Sequence, residues 1–105
     1  MNIVIQNRGF QARPGLQRML IPEQARCVGV GPEMVLYFMM DADVDGRDRE
    51  RLFMVTTSYE PLNMGAHDMV AAKYIGSSFA DGFHWHVFEV RPAFGGEHGT
   101  AVIEP

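Results

Sequence analysis

Short apolar segments, each ended by turn residues, are the feature that most constrains the fold of this chain. β-Branched and aromatic residues alternate with other residues at 2–6, 17–21, 26–30 and 74–79, and most strongly at 83–90. Glycine, proline, asparagine or aspartate interrupts the segments at intervals of about ten residues. A period of two predicts strands. We therefore expect a mainly β protein: a single-domain antiparallel sandwich, roll or small barrel of about six to eight short strands.

Two segments refine this expectation. Residues 34–40 are apolar without alternation, which predicts a central strand covered on both faces. The acidic and arginine-rich residues 41–51 follow, then the alternating residues 51–57, so we predict a hairpin with a charged loop in which Asp45-Gly46 favours a turn. At 66–73, Met69, Val70 and Lys73 fall at helical spacing, and at most one short helix is expected there. Ala80-Asp81-Gly82 predicts a tight turn.

Length and composition favour one domain. The chain has 105 residues, of which 47% are hydrophobic, and a single cysteine. This is enough to form a core without disulfides. We predict one domain over 1–105, with its core at about 16–90 and a mobile, glycine-rich tail at 93–105 in which 100–103 either adds an edge strand or frays. Cys27 lies in an apolar strand, which favours a buried thiol over a nucleophile.

The same composition bears on the compartment and on nucleic acid. No apolar run approaches the ~18 residues of a membrane-spanning helix, and no secretory signal leads the chain. We therefore expect a cytoplasmic protein without membrane contact. The formal net charge is −4, and the basic N-terminal segment supplies only Arg8, Arg13 and Arg18, which argues against nucleic-acid binding.

Two histidines form the first candidate metal site. His84 and His86 share one face of a predicted strand, about 7 Å apart along the backbone, a spacing that metal sites use. A third ligand has to come from elsewhere in the chain: His67, Asp68, Glu97 or His98. Because none of these stands at a convincing spacing, a pair of histidines packed among aromatic residues is favoured over a bound metal.

Three aspartates form a candidate calcium site. Asp41, Asp43 and Asp45 occupy alternate positions before a glycine, as at the start of a calcium loop. Leu52 falls where such a loop needs a bidentate glutamate, and neighbouring arginines add positive charge. A solvated loop is therefore favoured, and no cofactor is predicted.

Methionine and aromatic residues supply a candidate contact surface. The chain contains eight methionines, a residue that adapts to varied partners. A small single core covers only one face of a strand that is apolar on both sides. We therefore expect a second copy of the chain, forming a homodimer, or another protein partner to cover the other face. The candidate interface residues are Met39, Met40, Phe53 and Trp85.

Three segments, taken in order, resemble an uncharacterised family of short phage and prophage proteins, a domain of unknown function. They are Ile21-Pro22-Glu23-Gln24-Ala25, Tyr74-Ile75-Gly76-Ser77 and His86-Val87-Phe88-Glu89. The family pattern reads Ile-Pro-Glu-Gly-Ala, then Tyr-Ile-Gly-Thr, then His-Val-Phe-Glu, and the similarity covers about residues 16–90. Gln24 and Ser77 depart from it. The resemblance implies a β fold and a phage setting, and it implies no chemistry.

Together these patterns predict a non-enzymatic binding or assembly module associated with a phage or prophage. One alternative is a metal- or small-ligand-binding protein that uses His84 and His86. Another is a phage-encoded inhibitor or sponge that captures a host factor. No catalytic residue is predicted, since no candidate set satisfies the requirements of a nucleophilic site.

Overall fold

A computed structural model of the chain describes residues 1–44, 46–59, 69–92 and 102–104. These residues form eight strands: β1 (Ile3–Gly9), β2 (Gly15–Pro22), β3 (Arg26–Gly31), β4 (Val35–Asp41), β5 (Asp48–Thr57), β6 (Met69–Ala80), β7 (Phe83–Pro92) and β8 (Val102–Glu104). None of the described segments is a helix of the length and apolarity needed to cross a membrane.

The strands are arranged in two sheets. One has the order β1-β4-β3, and the other has the order β2-β5-β7-β6-β8. Neighbouring strands are antiparallel, except that β8 pairs with β6 in parallel. The core lies between the sheets, where Leu36 and Phe38 of β4 pack with Phe53, Val55 and Val87 of the larger sheet. The chain is therefore a small antiparallel β sandwich, which confirms the predicted fold class.

The predicted hairpin between 34–40 and 51–57 is wrong. Strand β4 pairs with β1 and β3, whereas β5 pairs with β2 and β7, so the charged segment carries the chain from one sheet to the other. Backbone hydrogen bonds hold this segment at both ends: Ala42 N–H donates to Asn2, and Glu23 N–H donates to Arg47. Alternation identifies a strand, but it does not identify the partner of that strand.

Strand β4 is central, as predicted, but its two faces differ. Leu36, Phe38 and Met40 are buried between the sheets, while the alternate residues are only half-buried. The outer face of the three-stranded sheet is thus partly open to solvent.

The helix expected at 66–73 is not formed over 69–73, which belong to β6; residues 66–68 lie outside the described part of the chain. Pairing with β7 along its length outweighs the local helical spacing.

The predicted tight turn is confirmed, because Ala80 pairs with Phe83 across a two-residue loop. Asp81 and Gly82 both have positive φ, at 53° and 82°, as a type I′ hairpin turn requires. In the predicted tail, Val102–Glu104 forms β8.

Candidate ligand-binding site on the outer sheet face

A row of aromatic and imidazole rings crosses the outer face of the five-stranded sheet, the face turned away from the three-stranded sheet. On β7, Trp85 and Val87 point into the core, so the alternate residues point outward. Successive ring centroids in the row are 5.2, 5.9, 6.3 and 5.2 Å apart. The rings, in order, belong to Phe88, Tyr74, His86, His84 and Phe79.

His86 is fixed in this row by hydroxyl groups on both sides. Tyr74 Oη lies 2.9 Å from Nδ1, and Ser58 Oγ lies 2.8 Å from Nε2. A neutral imidazole donates from one nitrogen and accepts at the other, and either hydroxyl can take either role. The ring is therefore held in one orientation, while both hydroxyls keep further capacity to bind a ligand.

A shallow cavity of about 450 Å³ opens beside these groups. Its described lining residues are Thr56, Thr57, Ser58, Tyr59, Tyr74, His86 and Phe88. They supply hydroxyl groups, one imidazole and aromatic surface, and none of them is an aspartate, glutamate, lysine or arginine. Beside the cavity, on the same sheet face, Phe88 packs against a small apolar cluster around Met54, Ala72 and Val90.

The hydrogen bond between Ser58 Oγ and His86 Nε2 resembles the contact between a nucleophilic serine and its general base in an enzyme. In serine hydrolases a buried carboxylate orients the histidine and stabilises the imidazolium that forms. Here the third group is the neutral hydroxyl of Tyr74, which orients the ring but provides no negative charge. The arrangement is therefore better suited to binding than to acyl transfer.

The histidine pair predicted as a metal site lies within the row. His84 and His86 share a face as predicted, with ring centroids 6.3 Å apart, and both nitrogens of His86 already have hydroxyl partners. No three histidine, cysteine, aspartate or glutamate side chains converge among the described residues. His67, the predicted third ligand, lies outside the described residues, so the three-ligand site stays a prediction.

The candidate calcium loop is bound to the N-terminal segment. Asp41 Oδ1 accepts hydrogen bonds from the backbone N–H groups of Asp43, at 3.0 Å, and Asn2, at 3.3 Å. Asp43 accepts from the Asn2 amide at 3.1 Å and lies 3.5 Å from the terminal ammonium. The two carboxylates thus bind the chain itself, and Asp45 lies outside the described residues.

The four predicted interface residues have different locations. Met40, Phe53 and Trp85 are buried in the core between the sheets. Phe53 has no exposed surface, and Met40 and Trp85 are only 8% and 6% exposed, so these three residues mainly stabilise the fold. Met39 lies on the half-buried outer face of β4, where an interface role for it stays a prediction.

Cys27 lies in the core. Burial raises the pKa of its thiol to about 11, and the negative charge of Glu89 adds to the shift. The thiol is therefore protonated near neutral pH and is a poor nucleophile.

No family model matches this chain. No curated protein and no solved structure matches it either. The resemblance to phage proteins therefore stays a prediction.

The sequence patterns missed Ser58 and Tyr74. Ser58 follows β5 and Tyr74 lies within β6, and they meet at His86 only because β7 is placed between those two strands. Tyr74 and His86 lie on one hairpin, but the register shift between Tyr74 and Gly76 decides which face Tyr74 occupies, and Ser58 comes near His86 through the pairing of β5 with β7. No local spacing reports either feature.

Proposed function

We propose that this protein is a non-enzymatic binding module that holds a neutral, hydroxyl-rich ligand of the saccharide class on the outer face of its five-stranded sheet. The observation that carries the proposal is the cavity at His86, whose described lining residues include no aspartate, glutamate, lysine or arginine, and where a hydrogen-bonded Ser58–His86–Tyr74 chain adjoins an exposed row of rings.

The chemistry of a saccharide matches both parts of this site. A sugar ring has apolar C–H surface, which packs on aromatic faces, and hydroxyl groups, which hydrogen-bond to side chains such as Ser58, Tyr74 and His86. The rings have free surface, since Tyr74 is 45% exposed and Phe79 is 64% exposed. The lack of charge among the described lining residues favours a neutral ligand over a nucleotide or a carboxylate.

The test is an NMR titration of the folded protein with glucose, N-acetylglucosamine, cellotriose and chitotriose. At least one of these sugars is expected to cause saturable shifts at Ser58, Tyr74 and His86. Tyr74→Ala removes a ring and a hydroxyl, so it is expected to weaken binding by about tenfold. Phe83→Ala is the matched control, because Phe83 is also an exposed aromatic residue on the β6–β7 hairpin but does not line the cavity.

Two results would contradict the proposal. One is the absence of saturable shifts with all four sugars. The other is covalent labelling of Ser58 by a fluorophosphonate, because a labelled Ser58 is an activated nucleophile and the module would then be an enzyme.

A second candidate function, self-assembly, is supported by the three-stranded sheet. Among the described strands β1 pairs only with β4, so its other edge is open. Ile3 and Ile5 on this strand are both more than half exposed, and they lie beside the half-buried Met39. A two-fold axis would pair β1 with the same strand of a second copy and continue the apolar face across the dimer.

Ile5→Lys is expected to abolish this dimer, because it places a charge at the centre of the proposed contact. Light scattering at micromolar concentration should give twice the chain mass for the parent protein and the chain mass for the variant, with unchanged circular dichroism. Leu20→Lys is the control, as Leu20 is exposed on β2, an edge strand of the other sheet. A parent protein of single-chain mass would exclude assembly.

A further inference from the structure

The row of rings on the outer sheet face extends beyond the cavity at His86. Phe88, Tyr74 and His86 line the cavity. His84 and Phe79 continue the row towards the turn between β6 and β7. From Phe88 to His84 the row follows β7 for roughly 13 Å, at about 3.3 Å per residue. A single sugar ring is close in size to one phenyl ring, so it covers only one end of this row.

The end of the row near the turn offers the same kinds of group as the cavity. Phe79 is 64% exposed, and its ring meets that of the exposed His84 edge to face, with the centroids 5.2 Å apart. Ser77 is exposed and stands opposite His86 across the β6–β7 ladder, so it lies on the same sheet face. This end therefore presents an aromatic ring, an imidazole and a hydroxyl group to a ligand.

The sheet fixes the two ends of the row relative to each other. Tyr74 pairs with Phe88 at one end and Phe79 pairs with His84 at the other, all within the β6–β7 ladder. A ligand that contacts both ends therefore needs little reordering of the protein. Once one end of such a ligand is bound, the other end is held close to its own contacts, so the two sets of contacts reinforce each other.

We propose that the ligand is an unbranched oligosaccharide that lies along β6 and β7, with one sugar unit on Tyr74, one on Phe79 and at least one between them. This inference rests on the proposed function and specifies its ligand. Each unit of such a chain has apolar C–H surface and hydroxyl groups, so the chain repeats both along its length. The row does the same, since Ser77 and the two histidines lie between the rings of Tyr74 and Phe79.

The test is an NMR titration with two unbranched series, from glucose to cellotetraose and from N-acetylglucosamine to chitotetraose. In a series that binds, the tetrasaccharide is expected to bind about tenfold or more tightly than the monosaccharide, because it contacts both ends of the row. Its saturable shifts are expected at Phe79 and His84 as well as at Tyr74 and His86.

The outcomes separate this inference from the proposed function. Equal affinity at every chain length, or shifts confined to Tyr74 and His86, would overturn the oligosaccharide assignment and leave saccharide binding at the cavity intact. The absence of binding by both series would overturn the two together.

Three variants complete the test. Phe79→Ala is expected to lower the ratio of tetrasaccharide to monosaccharide affinity by about tenfold, since it removes the ring at the far end of the row. Phe79→Tyr keeps the ring and is expected to keep this ratio within about threefold of the parent. Phe83→Ala is the matched control and should leave the ratio unchanged. Phe83 is exposed on the same hairpin, but its ring lies beside the buried Trp85, with the centroids 6.0 Å apart. An unchanged ratio in a folded Phe79→Ala variant would overturn the proposal.

Discussion

Replacement of Arg51 by methionine is expected to lower the free energy of unfolding by about 2–4 kcal/mol, measured by urea denaturation. The side chain of Arg51 is only 13% exposed, and that of its partner Glu89 is 26% exposed. Arg51 also donates to the backbone carbonyls of Pro22 and Ala25, and its guanidinium carbon lies 5.6 Å from the centroid of the Phe38 ring. The variant leaves a partly buried carboxylate without its partner and the Ala25 carbonyl without its arginine donor, while the Pro22 carbonyl keeps its hydrogen bond from Ala25 N–H.

The neighbouring ion pair provides the control for Arg51. Arg49 and Glu23 are both more than half exposed, so Arg49→Met is expected to cost less than about 1 kcal/mol. The double variant Arg51→Met/Glu89→Leu is expected to recover part of the loss, because it removes the unpaired charge. An Arg51→Met variant as stable as Arg49→Met would show that the contacts of Arg51 with Glu89 and with the β2–β3 connection do not stabilise the fold.

Phe53→Ala is expected to be the most destabilising single truncation, with a loss of about 3–5 kcal/mol. Phe53 has no exposed surface, and its ring meets that of Phe38 edge to face at 6.1 Å, so it joins the two sheets. The lost free energy of unfolding has two parts: the removed ring no longer contributes buried apolar surface, and the space that it filled remains as a cavity. Urea unfolding measures this loss. The slope of the free energy of unfolding against urea concentration should stay the same if the fold persists.

Leu20→Ala is the matched truncation on the surface. Leu20 is 66% exposed on β2, so the change is expected to stay within about 0.5 kcal/mol. If Phe53→Ala cost no more than Leu20→Ala, the sheets would not pack through Phe53.

The positions of the strands followed from local patterns, but their partners did not. Alternation and turn residues place a strand at 83–90 and a turn at 80–82, because strand geometry and backbone sterics act over a few residues. The pairing of β4 with β1, and of β5 with β2 and β7, depends on contacts between residues 26 to 40 positions apart. The hairpin prediction failed for this reason.

The candidate sites divide in the same way. The spacing of His84 and His86 on one strand predicts that they share a face, and in the structure their rings lie side by side on that face. The approach of Ser58 and Tyr74 to His86 depends on the strand order of the sheet. The pairing of Arg51 with Glu89 spans 38 positions, and no spacing rule reports it.

The crossing of the chain between the sheets at 41–47 has a consequence for synthesis. Strand β5 lies between β2 and β7, so the larger sheet lacks a central member until Phe83–Pro92 has left the ribosome. Until then the larger sheet consists only of the β2–β5 ribbon, and a two-stranded ribbon is by itself marginally stable in water. The larger sheet therefore forms only after β7 has emerged, and until then its incompletely paired strands are available to a chaperone.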